Sequence, residues 1–256
     1  MIIRKENGAL TLVTQTEHSR FVGQLAAHWG NARFAAPEPF ESVARAATYH
    51  DYGHLHWEPD APFDAATGEP CEFRRLPDPE RQLKAHQANI DWLTGIDPYS
   101  GLLVGMHTTG LRRGRYGRID HPTGFNPPKQ GEAIETFIAT NEARQEALRA
   151  RFGEAGVWTN YHLLQVWDLL GLYFGCAEPG EDHISPVPSK GGERVTLRMT
   201  PAGPNRIAFD PYPFDRRPLT VQFMCKRLPQ AKFESEAAFR EAFYKAPNEL
   251  IAYELV

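Results

Sequence analysis

Tyr49-His50-Asp51-Tyr52-Gly53-His54 is the stretch on which the reading of this chain turns. Val43, Ala46 and Ala47 lead into it at helical spacing, so a helix over about 42–50 aims His50 at the interior. The next residue, Asp51, sets a carboxylate beside that imidazole. Two ionisable groups at the edge of an apolar face need partners, because an unpaired buried charge is strongly unfavourable. From Gly53 to Pro79 the chain is rich in Pro, Asp, Gly and Trp, which reads as a long irregular loop packed over a site.

Working outward, four further helices repeat the pattern. In a helix over about 16–29, His18 shares the stripe of Val22, Leu25 and Trp29. Over about 79–93 the stripe is Leu83, His86, Ile90 and Leu93; over about 98–108, Leu103 and Met106 lead to His107. A long amphipathic helix is expected over about 130–152. In the next, over about 158–174, Leu164, Asp168 and Leu172 are spaced four and four within an apolar run. One inward histidine is more often a hydrogen-bonded core residue than a ligand. Asp168 is harder to place, since an uncompensated carboxylate in a core is costly. Bound cations would satisfy Asp51, Asp168, His18, His50, His86 and His107 together, and facing helices of a bundle are a recurrent way to build such a site. Mixed imidazole and carboxylate donors suit divalent Fe, Mn, Zn, Ni or Co.

At the N-terminus, Ile2-Ile3 and Leu10-Thr11-Leu12-Val13 flank Asn7-Gly8, a hairpin signature. After Pro179 the period changes to two, in Val195-Leu197-Met199 and Leu219-Val221-Phe223-Cys225. Residues 206–209 and 251–256 are weaker strand candidates, separated by a short helix near 234–245. The expected fold is α+β and mainly α, a single unit in three parts. A β-hairpin (1–15) precedes a helical bundle (16–176), and a β-rich antiparallel C-terminal part (177–256) packs on it. The hairpin is expected to pair with the late strands.

The 256 residues carry a formal net charge of −4, which argues against a nucleic-acid polymer as partner. No apolar run approaches a membrane span, and no secretory leader is read at the N-terminus. Cys71, Cys176 and Cys225 are odd in number and widely spaced, as free thiols of a reducing compartment are. A cytoplasmic location follows as the expectation, and a homo-oligomer is compatible with it.

The order His18, His50-Asp51, His86, His107, Asp168 resembles the HD superfamily of metal-dependent phosphohydrolases, and within it a bacterial branch of unknown function. The resemblance covers about 16–176, and Tyr49 to His54 looks like the family's central motif with Gly53 in its usual place. Some members carry Lys where His54 stands. The resemblance implies an HD-like bundle in which His18, His50, Asp51 and Asp168 hold one ion. His86 and His107 complete the site of a second, with Asp51 bridging the two.

A two-metal site of this kind activates a water and neutralises a phosphoryl group. Just beyond His107, Arg112, Arg113, Arg115 and Arg118 stand among glycines, a composition suited to phosphate. His54 is a candidate proton donor or substrate contact; its bland alternative is a loop histidine packed on Trp57. With Asp51 it completes the catalytic expectation. The leading function is hydrolysis of a phosphate ester, a nucleotide or a small phosphometabolite. The alternatives are a di-iron oxygenase acting on a small polyol or phosphonate, which uses the same ligands, and a non-catalytic metal- or ligand-binding sensor.

Overall fold

Asn7 and Gly8 both take positive φ (51° and 81°), as a two-residue hairpin turn requires, and join β1 (Ile2–Glu6) to β2 (Ala9–Val13). The computed structural model describes residues 1–75, 78–114 and 131–256. Thr14 then caps α1 (Gln15–Ala27) by accepting from the Glu17 amide. After α2 (Phe40–Tyr49), the expected irregular loop contains short 3-10 turns, including Tyr52–His56, and a miniature hairpin, β3 (Phe63–Asp64) with β4 (Glu69–Pro70). Asp78 caps α3 (Pro79–Ile96), and Asp97 both ends it and caps α4 (Pro98–Arg112). Then come α5 (Glu132–Phe152), α6 (Glu154–Cys176), β5 (Asp182–Pro188), β6 (Arg194–Pro201), β7 (Arg206–Asp210), β8 (Leu219–Leu228), α7 (Glu236–Lys245) and β9 (Asn248–Leu255).

The architecture corrects the expected fold class. The chain does not form an HD-like helical bundle with a hairpin and a small antiparallel β region attached. It builds one large, curled, mixed seven-stranded sheet, a half-barrel in the order β1-β2-β8-β9-β7-β6-β5. Leu10 of β2 lies opposite Leu228 of β8, so the first and last parts of the chain share one sheet, and β7 runs parallel to β9. The pairing of the hairpin with a late strand is the one expected; the parallel pairing of β7 with β9 joins residues far apart in sequence, and local periodicity cannot reveal it. Periodicity also passes over β5, whose Pro186 and Pro188 break the strand signature; prolines are tolerated there because β5 is an edge strand.

The sheet supports the helices that matter for the site. Phe21 of α1 packs edge-on against Phe223 of β8 at 5.4 Å, and Phe174 of α6 meets Tyr253 of β9 at 4.8 Å. Phe21 and Phe174 touch each other at 5.3 Å, so α1 and α6 lie side by side over the sheet. On them pack α2 and α4, and α3 and α5 pack on α4. One core runs from the sheet through these helices, and a smaller one gathers Leu10, Leu12, Leu228, Phe239 and Phe243 under α7. Among the described residues, no helix is long and apolar enough to cross a membrane.

Candidate metal centre

α1 and α6 make the deepest part of the site. His18 is buried on the inner face of α1, and Asp168 is 5% exposed within the apolar α6. His18 Nε2 lies 2.7 Å from Asp168 Oδ1. Gly171, one turn along α6, permits this approach. A Cβ there would stand 2.6 Å from His18 Cε1 and 2.7 Å from Val22 Cγ2, inside contact distance.

His50 ends α2 and enters from the side. Its Nδ1 donates to the Ala47 carbonyl at 2.8 Å, and Ser19 Oγ lies 3.3 Å away and accepts from the Asp51 amide at 3.0 Å. Asn89 of α3 donates to the carbonyls of Tyr49 and His50, fastening the end of α2. The other ring nitrogen, Nε2, is buried, makes no hydrogen bond, and stands 3.4 Å from Asp168 Oδ1 and 3.5 Å from Asp51 Oδ2. Asp51 is half-buried and accepts from the Gln15 side chain at 3.1 Å. From α4, the His107 ring centres 4.9 Å from that of His50.

Two groups of donor atoms result, each with its members within 4.8 Å of one another: His18, His50 and Asp168, and His50, Asp51 and His107. His50 is common to both, whereas the resemblance assigns the shared position to Asp51. Five of the six expected ligands thus converge. The sixth, His86 on α3, stands outside both groups beside a second aromatic cluster, with its ring 5.7 Å from His54 and 6.1 Å from Trp57. Gly53 lets α3 come this close, since a Cβ on it would meet the Ala85 carbonyl at 2.9 Å. In that cluster the Trp57 indole donates to His54 Nδ1 at 3.0 Å.

The electrostatics divide the histidines. Burial pushes the His50 imidazole down, but the Asp51 and Asp168 carboxylates outweigh it and raise its pKa to about 9. Burial acts to raise Asp168, yet its hydrogen bond with His18 and the close His50 imidazole hold it well below the usual carboxylate range. Asp51 is likewise lowered against its burial, by His50 first and then His54 and His107. Burial lowers His107 to about 4, helped by the nearby His50, and lowers His86 to about 4, helped by the Arg112 guanidinium. His54 also falls well below its ordinary value, chiefly from burial. His107 is thus neutral beside ionised carboxylates, the protonation states in which such groups donate to a metal, whereas His50 would give up its proton to a bound cation. The orphaned His50 Nε2 between two carboxylates is where a divalent cation fits the donor set.

The arginines separate. Arg112 is half-buried, donates to Gln82 Oε1 at 2.9 Å and is felt by His86, so it belongs to the site's rim. Arg113 turns away and pairs with Glu135 and Glu142 of α5 at 3.0 and 3.3 Å. Arg115 and Arg118 lie outside the described residues.

Sequence reasoning missed Gln15, Ser19, Asn89 and Glu58. Glu58 is buried and accepts from the Gln15 and Thr16 amides and the Thr16 hydroxyl, tying the 3-10 segment to the start of α1. Gln15 and Ser19 flank His18 on the first turns of α1, the one local signal that could have marked them.

Compared with known proteins, the chain is matched over residues 1–230 by a family model described as Protein of unknown function (DUF3891). No curated protein and no solved structure matches it.

Proposed function

We propose, for this chain that belongs to the DUF3891 family of proteins of unknown function, that it is a metal-dependent hydrolase of a phosphate ester, a nucleotide or small phosphometabolite. The observation that carries this reading is the buried His50 Nε2, without a hydrogen bond and flanked by Asp51, Asp168 and His107. His18, His50 and Asp168 would hold one cation, and Asp51 and His107, with His86 behind them, a second. Bound divalent ions would supply the Lewis acidity that makes a water nucleophilic near neutral pH and offsets phosphoryl charge.

The chain's own groups favour one direction of approach. His18, His50, His107 and Asp168 are buried, while Asp51, Gln82, His86 and Arg112 are only partly so. A substrate therefore enters between the first turns of α3 and the end of α4. There the Arg112 guanidinium can take two phosphoryl oxygens in a forked contact, steadied by Gln82. Asp51 stands at the boundary of the buried set, oriented by Gln15, as an acceptor for a proton from the attacking water.

The test is elemental analysis of the purified protein, with metal-to-chain stoichiometry, for the natural chain and for the double variant His50→Ala, Asp51→Ala. Turnover of a generic phosphomonoester with added Mn is measured alongside. The expected result is bound metal and turnover in the first and neither in the second. Equal metal content in both, or an iron centre whose absorbance changes with substrate and oxygen without phosphate release, overturns the reading.

A further inference from the structure

Trp57 and His54 make a contact that the metal centre does not require. Both are buried, at 3% exposure each, and they are joined by the 3.0 Å hydrogen bond from indole Nε1 to imidazole Nδ1. An indole nitrogen is a donor only. The nitrogen that receives it must therefore hold a lone pair and no proton. That excludes the imidazolium, which carries a proton on both nitrogens, and leaves the neutral ring with its hydrogen on Nε2. Among the described residues no hydrogen bond uses that Nε2. Its N–H belongs to a ring beside His86, on the rim where Arg112 lies.

We infer that Trp57 is a positioning residue that locks His54 in its Nε2–H tautomer, so that His54 is a hydrogen-bond donor to an anionic substrate oxygen and not a metal ligand. A protonated ring nitrogen has no lone pair to give a cation. Two imidazoles only 5.7 Å apart at the rim thus take opposite parts: His86 can donate electrons to a metal, and His54 can donate a hydrogen bond to a phosphoryl oxygen. No proton is transferred; the donor lowers the energy of charge on that oxygen. The identity of the acceptor rests on the hydrolase reading above, whereas the tautomer rests on the Trp57 contact alone.

The experiment uses the full-length, zinc-loaded protein with nitrogen-15 in its histidines. Long-range proton–nitrogen correlation spectra distinguish protonated from unprotonated ring nitrogens, and inorganic phosphate is the probe. In the natural protein His54 is expected to show a protonated Nε2 and an unprotonated Nδ1, and phosphate is expected to shift the Nε2–H signal. Trp57→Phe keeps a ring but removes the donor, and should leave a mixture of the two tautomers with zinc content unchanged. His54→Gln, whose amide can replace the N–H, should bind zinc fully and phosphate within a few-fold of normal. His54→Leu should bind zinc fully and phosphate at least about tenfold more weakly, the worth of a hydrogen bond to a charged acceptor. A proton on Nδ1 in the natural protein, or zinc lost from His54→Gln, overturns the inference. Failure of phosphate to bind the natural, zinc-loaded protein overturns the hydrolase reading and the acceptor with it, while the nitrogen signals decide the tautomer separately.

Discussion

Asp168 is a carboxylate inside an apolar helix, and its neighbours must answer for it. Its contact with His18 at 2.7 Å is buried, and it also faces the His50 imidazole at 3.4 Å, so removing the carboxylate leaves the His50 charge short of a partner. Asp168→Asn should therefore destabilise the metal-free protein by roughly 3–5 kcal/mol, read as a lower midpoint in chemical denaturation with chelator present. The histidines give the metal-free protein a definite pH response. His86 and His107, lowered to about 4, stay neutral in the fold while the unfolded chain protonates them below about 6.5. Their effect is a loss of stability as pH falls from 6.5 towards 4. His50, raised to about 9, works the other way: its contribution is complete below 6.5 and is lost as pH rises through 9. Thermal midpoints of chelator-treated protein should thus decline on both sides of neutrality, and His107→Gln should flatten the acid side. An acid limb that is unchanged in that variant counts against the assignment. At this scale the site was largely legible, because an ionisable residue on an apolar stripe is conspicuous. Gln15 and Ser19 were not, since they look like ordinary polar residues of a first helical turn. The arginine run was legible as composition only, and Arg113 spends its charge on α5.

Between elements, α1 comes close to α6 at the centre, and that approach depends on the missing side chain of Gly171. Gly171→Ala inserts a methyl group where His18 and Val22 already stand. Overpacking of this kind costs typically about 1–3 kcal/mol, and here the flexible element is His18, which must move off Asp168. The expected outcome is a modest loss of stability with a larger loss of bound metal, seen by elemental analysis at matched folded fraction. Full metal content would mean that the helices separate without disturbing the ligands. The helices were readable within a few residues, because apolar spacing of three and four persists over many turns. The strands were not equally readable. β8 alternates over ten residues and declares itself, whereas β5 carries two prolines and β9 alternates only in its second half. The parallel pairing of β7 with β9 leaves no local trace, and the expectation of a bundle with a β appendage failed there.

For the molecule as a whole, two cations held by ligands from α1, the end of α2, α4 and α6 would link four helices between them. Ligand present at about 1,000 times its dissociation constant stabilises a fold by about 4 kcal/mol, and in a chain of this size each kcal/mol moves the melting midpoint by roughly 2–4 °C. Stripping the metal should therefore lower the melting temperature by roughly 8–16 °C, restored by adding the divalent ion back. A midpoint indifferent to chelator would leave the centre as a hydrogen-bonded polar core. The sheet that backs these helices has a consequence in time. His18 and Asp168 stand 150 residues apart, and α1 leans through Phe21 on β8, which pairs with β2. During synthesis the hairpin emerges well before β8 and waits for it. The earliest ligand to be made is among the last to be set in place, so a nascent chain has no finished centre to offer a passing ion.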